Sequence, residues 1–310
     1  MLVTMMMAAG LAMAPQQVHE PLDPAIEAAL PATVEHAGEE DHGFDILHHI
    51  QDARYWETPF GTIDLPPAGS WMLGPVDMTP TKHVLFLGIT AVLVLLLFLW
   101  AAAAASKSRG EPPARKGYNA MEALVLFFRN QVVLPNVGHG GEKFAPFIIT
   151  LFFFILIANL IGLLPWGATA TGNVSVTAAL AVMAFVVIEV AGMRELGAMG
   201  YMKTIVFVPH GLPKPLVPVI ALIMTPVEIL GKLTKPFALA IRLFANMTAG
   251  HVLLLAIISL IFLFGSYAIA IGPVVMAVAL TFLEIFVGFL QAYIFALLTS
   301  VFIGLIRHPH

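Results

Sequence analysis

Eight charged, amide or imidazole side chains stand inside the last two apolar stretches of the chain: Glu228, Lys232, Lys235, Arg242, Asn246, His251, Glu284 and Gln291. Hydrocarbon makes such groups expensive. A charge at the middle of a membrane helix costs roughly 2.5 to 3.5 kcal/mol on insertion scales, so it persists where it faces protein or water and has work to do. Arg242 lies in ALAIRLFANMTAGHVLLL, flanked by too many apolar residues for its guanidinium to reach an interface easily. A guanidinium stays protonated in a protein. A permanent cation so placed is suited to hold a partner's carboxylate while that is ionised and to release it once it is protonated.

Spacing sorts the other groups. On one helix Asn246 lies a turn beyond Arg242 and shares its face. His251 points the opposite way, about 13 to 14 Å further along, and Glu228 returns nearly to the face of Arg242 about 21 Å toward the other end. Glu284 and Gln291, seven residues apart, share one face of the last stretch. Protonatable groups thus lie on both sides of a fixed cation. The corresponding chemistry is proton transfer through two water-filled half-channels that do not meet. His251 and Glu284 would accept protons on the exterior side, Glu228 would load or unload them on the cytoplasmic side, and Arg242 would gate between them. Plainer roles exist for each. Arg242 is also readable as a salt-bridged helix-end arginine, His251 as a packing histidine, and Glu284 and Gln291 as helix cross-links. Glu228 and Lys232, at i and i+4, have the spacing of an interfacial ion pair, and Lys232 and Lys235 that of interfacial anchors.

The elements that must position these groups follow from composition. Of 310 residues, 59% are hydrophobic and 11% charged, a balance that belongs in a bilayer. The expected fold is an all-α integral membrane protein. The formal charge of -4 gives no reason for a nucleic-acid partner, and the lack of cysteine excludes disulfides and thiolate or cysteine-metal chemistry. No cofactor or metal is implied. Five stretches are apolar enough to enter the membrane, at 84–105, 144–164, 173–193, 215–264 and 267–306. Residues 118–135 are apolar but interrupted by Glu122, Arg129, Asn130 and Gln131, as in an amphipathic helix lying in the interface. As a helix, residues 215–264 would run about 75 Å, so this stretch must tilt, bend at Pro226 or Pro236, or double back. Basic residues orient the set. Lys107, Arg109, Arg115 and Lys116 mark one cytoplasmic loop, Arg194, Lys203, His210 and Lys214 a second, and Arg307 and His308 a cytoplasmic C-terminus. The N-terminus then lies outside.

Residues 1–80 read as an exterior tail, with 1–14 a short apolar segment ending in Ala12-Met13-Ala14 that has the form of a signal-peptidase site but no preceding Lys or Arg. The histidines of the tail (His19, His36, His42, His48, His49) are irregularly spaced among acidic neighbours and fit a solvated tail better than a metal site. Residues 81–310 are the membrane domain, with 215–306 the ion-translocating hairpin. No internal repeat of the kind that builds secondary transporters is visible.

The block PFALAIRLFANMTAGHVLL, the later FLEIFVGFLQAYIFALLTSVFI, and the preceding PVEILGKLTKP and ANLIGLLPW together resemble the a subunit of F-type ATP synthases over residues 75–306. The resemblance implies a multi-pass subunit of the bacterial inner (plasma) membrane, non-catalytic by itself. Its long tilted hairpin would pack against a c-subunit ring bearing a mobile carboxylate, and its other partners would be the b-subunit peripheral stalk, the remaining synthase subunits and the bilayer. By the same resemblance Arg242 matches the family's essential arginine, Asn246 the asparagine a turn on, Glu228 the acid before it, and Gln291 the glutamine of the last helix. His251 and Glu284 match a pair that some members carry with the two residue types exchanged, and Gly162 stands where other members carry an acid. The rival functions are a self-sufficient ion-coupled transporter using Arg242 to bind an anionic substrate, and a purely structural scaffold.

Overall fold

A backbone amide has no water to bond in hydrocarbon, so an apolar run this long satisfies its amides internally, as a helix. The computed structural model describes residues 54–58, 61–67, 69–73, 76–77, 79–108, 116–164, 167–205, 217–264 and 267–307. The 1–14 segment, the tail histidines, Arg109, Arg115, His210, Lys214 and His308 lie outside the described residues. In chain order the elements are β1 (Tyr55–Thr58), β2 (Gly61–Asp64), β3 (Met72–Leu73), β4 (Val76–Asp77), α1 (Lys82–Ser108) and α2 (Lys116–Phe127). A π-helical segment, Phe128–Val133, leads into α3 (Leu134–Val137), and then follow α4 (Ala145–Gly162), α5 (Val174–Ile205), α6 (Val217–Phe264) and α7 (Tyr267–Arg307). Five of the helices, α1 and α4 to α7, are long and apolar enough to cross a membrane, matching the five expected stretches. The strands form two small antiparallel hairpins, β1 with β2 and β3 with β4. Composition gave no sign of them. One is steadied by Trp56, whose ring meets Phe86 of α1 edge-on at 5.4 Å.

The centre of the bundle is α4. Ile148, Leu151, Phe152, Phe154 and Ile155 are at most 1% exposed, because α4 is apolar on every side and is packed between α1 and α7. The amphipathic stretch closes one side of it. Phe128, Val132 and Val133 face inward with no exposed surface, while Glu122, Asn130 and Gln131 point outward. Its π-helical turn widens the backbone register and leaves carbonyls to be met from outside. Val132 O is met twice, by Asn136 Nδ2 at 2.6 Å and by Ser300 Oγ of α7 at 3.1 Å.

Both overlong helices remain single helices. Through Pro226 and Pro236, α6 continues unbroken for 48 residues, about 72 Å at 1.5 Å per residue, which excludes doubling back within it. Its partner α7 runs 41 residues through Pro273, and the two pack on each other and on α5. In contrast α5 is longer than expected and broken, with Gly197 at φ 69 and ψ 168, a conformation that suits glycine.

Arg307, expected as a marker of a basic terminus, is a buried clamp. It donates to Val137 O at 3.4 Å and to His139 O at 2.9 Å, so that it caps the end of α3, and pairs with Glu195 of α5 at 2.9 Å. The chain turns there on Gly138 and Gly140, both at φ 75. The guanidinium is 6% exposed and the Glu195 side chain 45%, so the carbonyl bonds outweigh the solvated ion pair. Arg307→Ala is expected to cost about 2 to 3 kcal/mol of stability in detergent and Glu195→Gln under about 1 kcal/mol, as read from denaturation midpoints.

Candidate functional site

Exposure divides α6 into two faces. Ala238, Ile241, Arg242, Ala245, Asn246 and Ala249 are exposed, whereas Leu239, Leu243 and Met247 are buried against the bundle. The helical period alone produces this, since positions three and four apart fall on one face. Arg242 and Asn246 therefore lie on the outward stripe, between small alanines. Arg242 has no hydrogen-bond or ion-pair partner among the described residues, so the salt-bridged helix-end reading finds no acid to pair with in them. His251 continues the inward line of Leu243 and Met247 and is half-buried.

His251 lines a small, partly open cleft with Lys82 and His83 at the start of α1, Thr169 and Gly172 of the α4–α5 connection, and Thr248 of α6. Two bonds hold the walls together. Thr248 Oγ1 donates to Gly172 O at 3.4 Å, and Asn173 Nδ2 meets His83 Nδ1 at 3.4 Å while Asn173 Oδ1 accepts from Ser175 N–H at 2.9 Å.

On α7 the inward face carries Glu284, Gly288, Gln291, Ala292 and Phe295. Gln291 is 5% exposed. Glu284 reaches α6 beside His251, since a Cβ added at Gly250 would meet the Glu284 carboxylate and lie 3.2 Å from its Cγ and Cδ. The structure thus sets the Glu284 carboxylate against the backbone of Gly250, the residue next to His251 in sequence, with no hydrogen bond between Glu284 and His251 among the described residues. Glu284 Oε2 is buried without a hydrogen-bond partner among the described residues, a costly state for a carboxyl oxygen.

Below that pair, toward the middle of the bundle, sits a polar group that spacing arguments passed over. Asn159 of α4 has no exposed surface. Its Nδ2 donates to Gly288 O of α7 at 3.1 Å and its Oδ1 accepts from Thr171 Oγ1 at 2.8 Å. The signal was present in the sequence as a lone amide inside an apolar span, the same criterion that picked out Arg242. At the far end of α6, Glu228 is half-buried and makes no hydrogen bond or ion pair among the described residues. Lys232 does not pair with it. Lys232 is 13% exposed and bonds instead to α5, to Glu189 at 3.7 Å and Thr204 Oγ1 at 3.2 Å, over the ring of Tyr201 at 4.7 Å. Both sequence-based readings of Lys232, as partner of Glu228 and as interfacial anchor, are therefore corrected: a buried carboxylate on another helix offers the ammonium more than a neighbour on its own. Lys235 is exposed, with its ammonium 5.1 Å from the Phe302 ring.

What the arrangement can do is hold titratable groups at two separated heights while presenting one fixed cation outward. Gly250→Ala probes it. The carboxylate is the free end of a flexible side chain and yields to the new methyl group, moving away from α6. The variant is expected to fold and assemble normally but to conduct protons severalfold more slowly, measured in reconstituted vesicles.

Relatives match this chain at length. The ATP synthase A chain profile covers residues 84–304. The ATP synthase subunit a of Chloroherpeton thalassium is 43% identical over 84% of this chain and 76% of its own length. Subunit a 2 of Chlorobaculum tepidum is 41% identical over 86% and 74%, and subunit a of Anaeromyxobacter dehalogenans 43% over 87% and 72%. With the profile spanning all five long helices and relatives of this identity spanning most of the sequence, the chain belongs to the ATP synthase A chain family.

Proposed function

We propose that the chain forms the stationary proton path of a rotary F-type ATP synthase, with α6 and α7 laid against a ring of c subunits and the assembly braced by a b-subunit stalk. Family membership makes it a non-catalytic, multi-pass membrane subunit of that complex, and the bacterial organisms of its relatives support the bacterial plasma membrane as its location. The basic residues at 107–116, 194–203 and 307 support an exterior N-terminus and a cytoplasmic C-terminus.

The observation that carries the finer reading is Arg242 on the outward stripe of α6, unpaired among the described residues, while His251 lines a cleft and Glu284 lies against Gly250 on the inward side. A guanidinium in hydrocarbon without a partner of its own chain is costly, so it calls for an anion from outside, and a ring carboxylate on a helix passing the small alanines supplies one. Protons then enter through the cleft beside His83, pass His251 and Glu284, and neutralise the carboxylate as it leaves Arg242. They depart after nearly a full ring turn on the side of Glu228. Arg242 blocks the direct route, because it can neither accept a proton nor let one pass unpaired. A membrane potential of 100 mV contributes about 2.3 kcal/mol per proton moved this way.

Arg242→Ala is expected to abolish ATP-driven proton pumping in inverted membrane vesicles while the complex still assembles. Pumping retained at the wild-type rate would refute the gate.

A further inference from the structure

The buried cluster between α5 and α6 has no part in the path just described. Glu189 and Lys232 have side chains 12% and 13% exposed, they pair at 3.7 Å, Tyr201 donates its hydroxyl to Glu189, and Thr204 accepts from Lys232 at 3.2 Å. An ideal helix would hold Tyr201 and Glu189, twelve residues apart, about 18 Å from each other. The break at Gly197, φ 69 and ψ 168, folds the end of α5 back and brings them into contact. A backbone conformation suited to glycine is thus used to wrap Tyr201, Thr204 and Glu189 around a single lysine.

Lys232 stands four residues after Glu228 on an unbroken helix. An acid placed N-terminal to a lysine at this spacing is the orientation that pairs best on a helix. Yet Glu228 has no ion pair among the described residues, and its natural partner is held by α5. The other charged groups at this height turn elsewhere. Lys235 lies over Phe302 of α7, Arg194 and Lys203 of α5 are exposed, and Arg307 of α7 is bound to Glu195.

We propose that Glu189 is a positioning residue that withdraws Lys232 from Glu228 and so keeps Glu228 able to take up and give up a proton. The inference rests on the reading of Glu228 as a proton-handling group on the path. Paired with Lys232, Glu228 would be fixed as a carboxylate, since a neighbouring cation favours the charged form, and the exit side of the path would stall. The sequestration also explains why a lysine is tolerated there: its charge is met within the protein.

The test reads Glu228 directly. Carbodiimides attack protonated carboxyl groups, so the extent of Glu228 modification at a fixed mildly acidic pH, quantified by peptide mass spectrometry of the assembled complex, reports its protonation. Glu189→Gln is expected to free Lys232 and lower that extent severalfold, and adding Lys232→Met to the same chain is expected to restore it. Thr204→Val, which loosens the hold on Lys232 without removing a charge, gives a smaller loss in the same direction and serves where Glu189→Gln fails to assemble. Wild-type modification in both Glu189→Gln and Thr204→Val, or a loss that Lys232→Met does not reverse, overturns the proposal. Proton flux of Glu228→Gln, measured in parallel, tests the path separately: unchanged flux would remove Glu228 from the path while leaving the labelling result to decide the role of Glu189.

Discussion

A charge or polar atom in hydrocarbon must be met by another part of the protein, by a partner, or by water, and the arrangement of this chain follows from how each such group is met. Arg307 is met by two carbonyls and Glu195, Asn159 by Thr171 and Gly288, Lys232 by Glu189 and Thr204. Most of these ties join separate helices, so the same contacts that satisfy the polar groups also fix the bundle. They hold α7 to α3, α4 and α5, and α6 to α5, which leaves the outer faces of α6 and α7 uncovered.

The groups left unmet are as informative as those that are met. Arg242, Asn246 and Glu228 make no bond among the described residues, and all lie on α6. Its apolar window is 11% buried and that of α7 is 6%, against 61% for α4. The inner helices serve as a rigid backing against which the hairpin is held, and the hairpin presents its face outward. Rigidity matters to a gate. In the proposed mechanism the Arg242 charge stays in place while a ring moves past, and a 48-residue helix tied to the bundle at the Lys232 cluster and at the Thr248 contact with Gly172 is suited to that.

Much of this was legible in the sequence, for a physical reason. Twenty or so apolar residues bound by charge can do little but span a membrane, so the five helices and the unusual length of the last two could be read directly. Helical spacing likewise set Arg242 and Asn246 on one face and His251 on another, because α6 proved continuous. What could not be read were contacts between helices. Lys232 had an acid four residues away, and local spacing favoured that pair; the acid that binds it is 43 residues earlier, reached only because Gly197 turns the end of α5. Arg307 looked like one more cation at a terminus, and its acceptors are the carbonyls of a turn about 170 residues away. Asn159 was visible as a costly group, but its partners were not. The hairpins before α1 had no apolar alternation strong enough to signal them.

The central claim is that water reaches the two ends of α6 from opposite sides of the membrane and that the two routes do not meet at Arg242. The chain contains no cysteine, so single thiols can be introduced one at a time, at Thr248 in the cleft and at Glu228 near the other end. Each is exposed, in sealed vesicles of known orientation carrying the assembled complex, to a membrane-impermeant thiol reagent from one side, and modification of this chain is read by mass spectrometry. The thiol at 248 is expected to react only from the exterior side and the thiol at 228 only from the cytoplasmic side; either thiol reacting from both sides, or both from the same side, would contradict two separated half-channels.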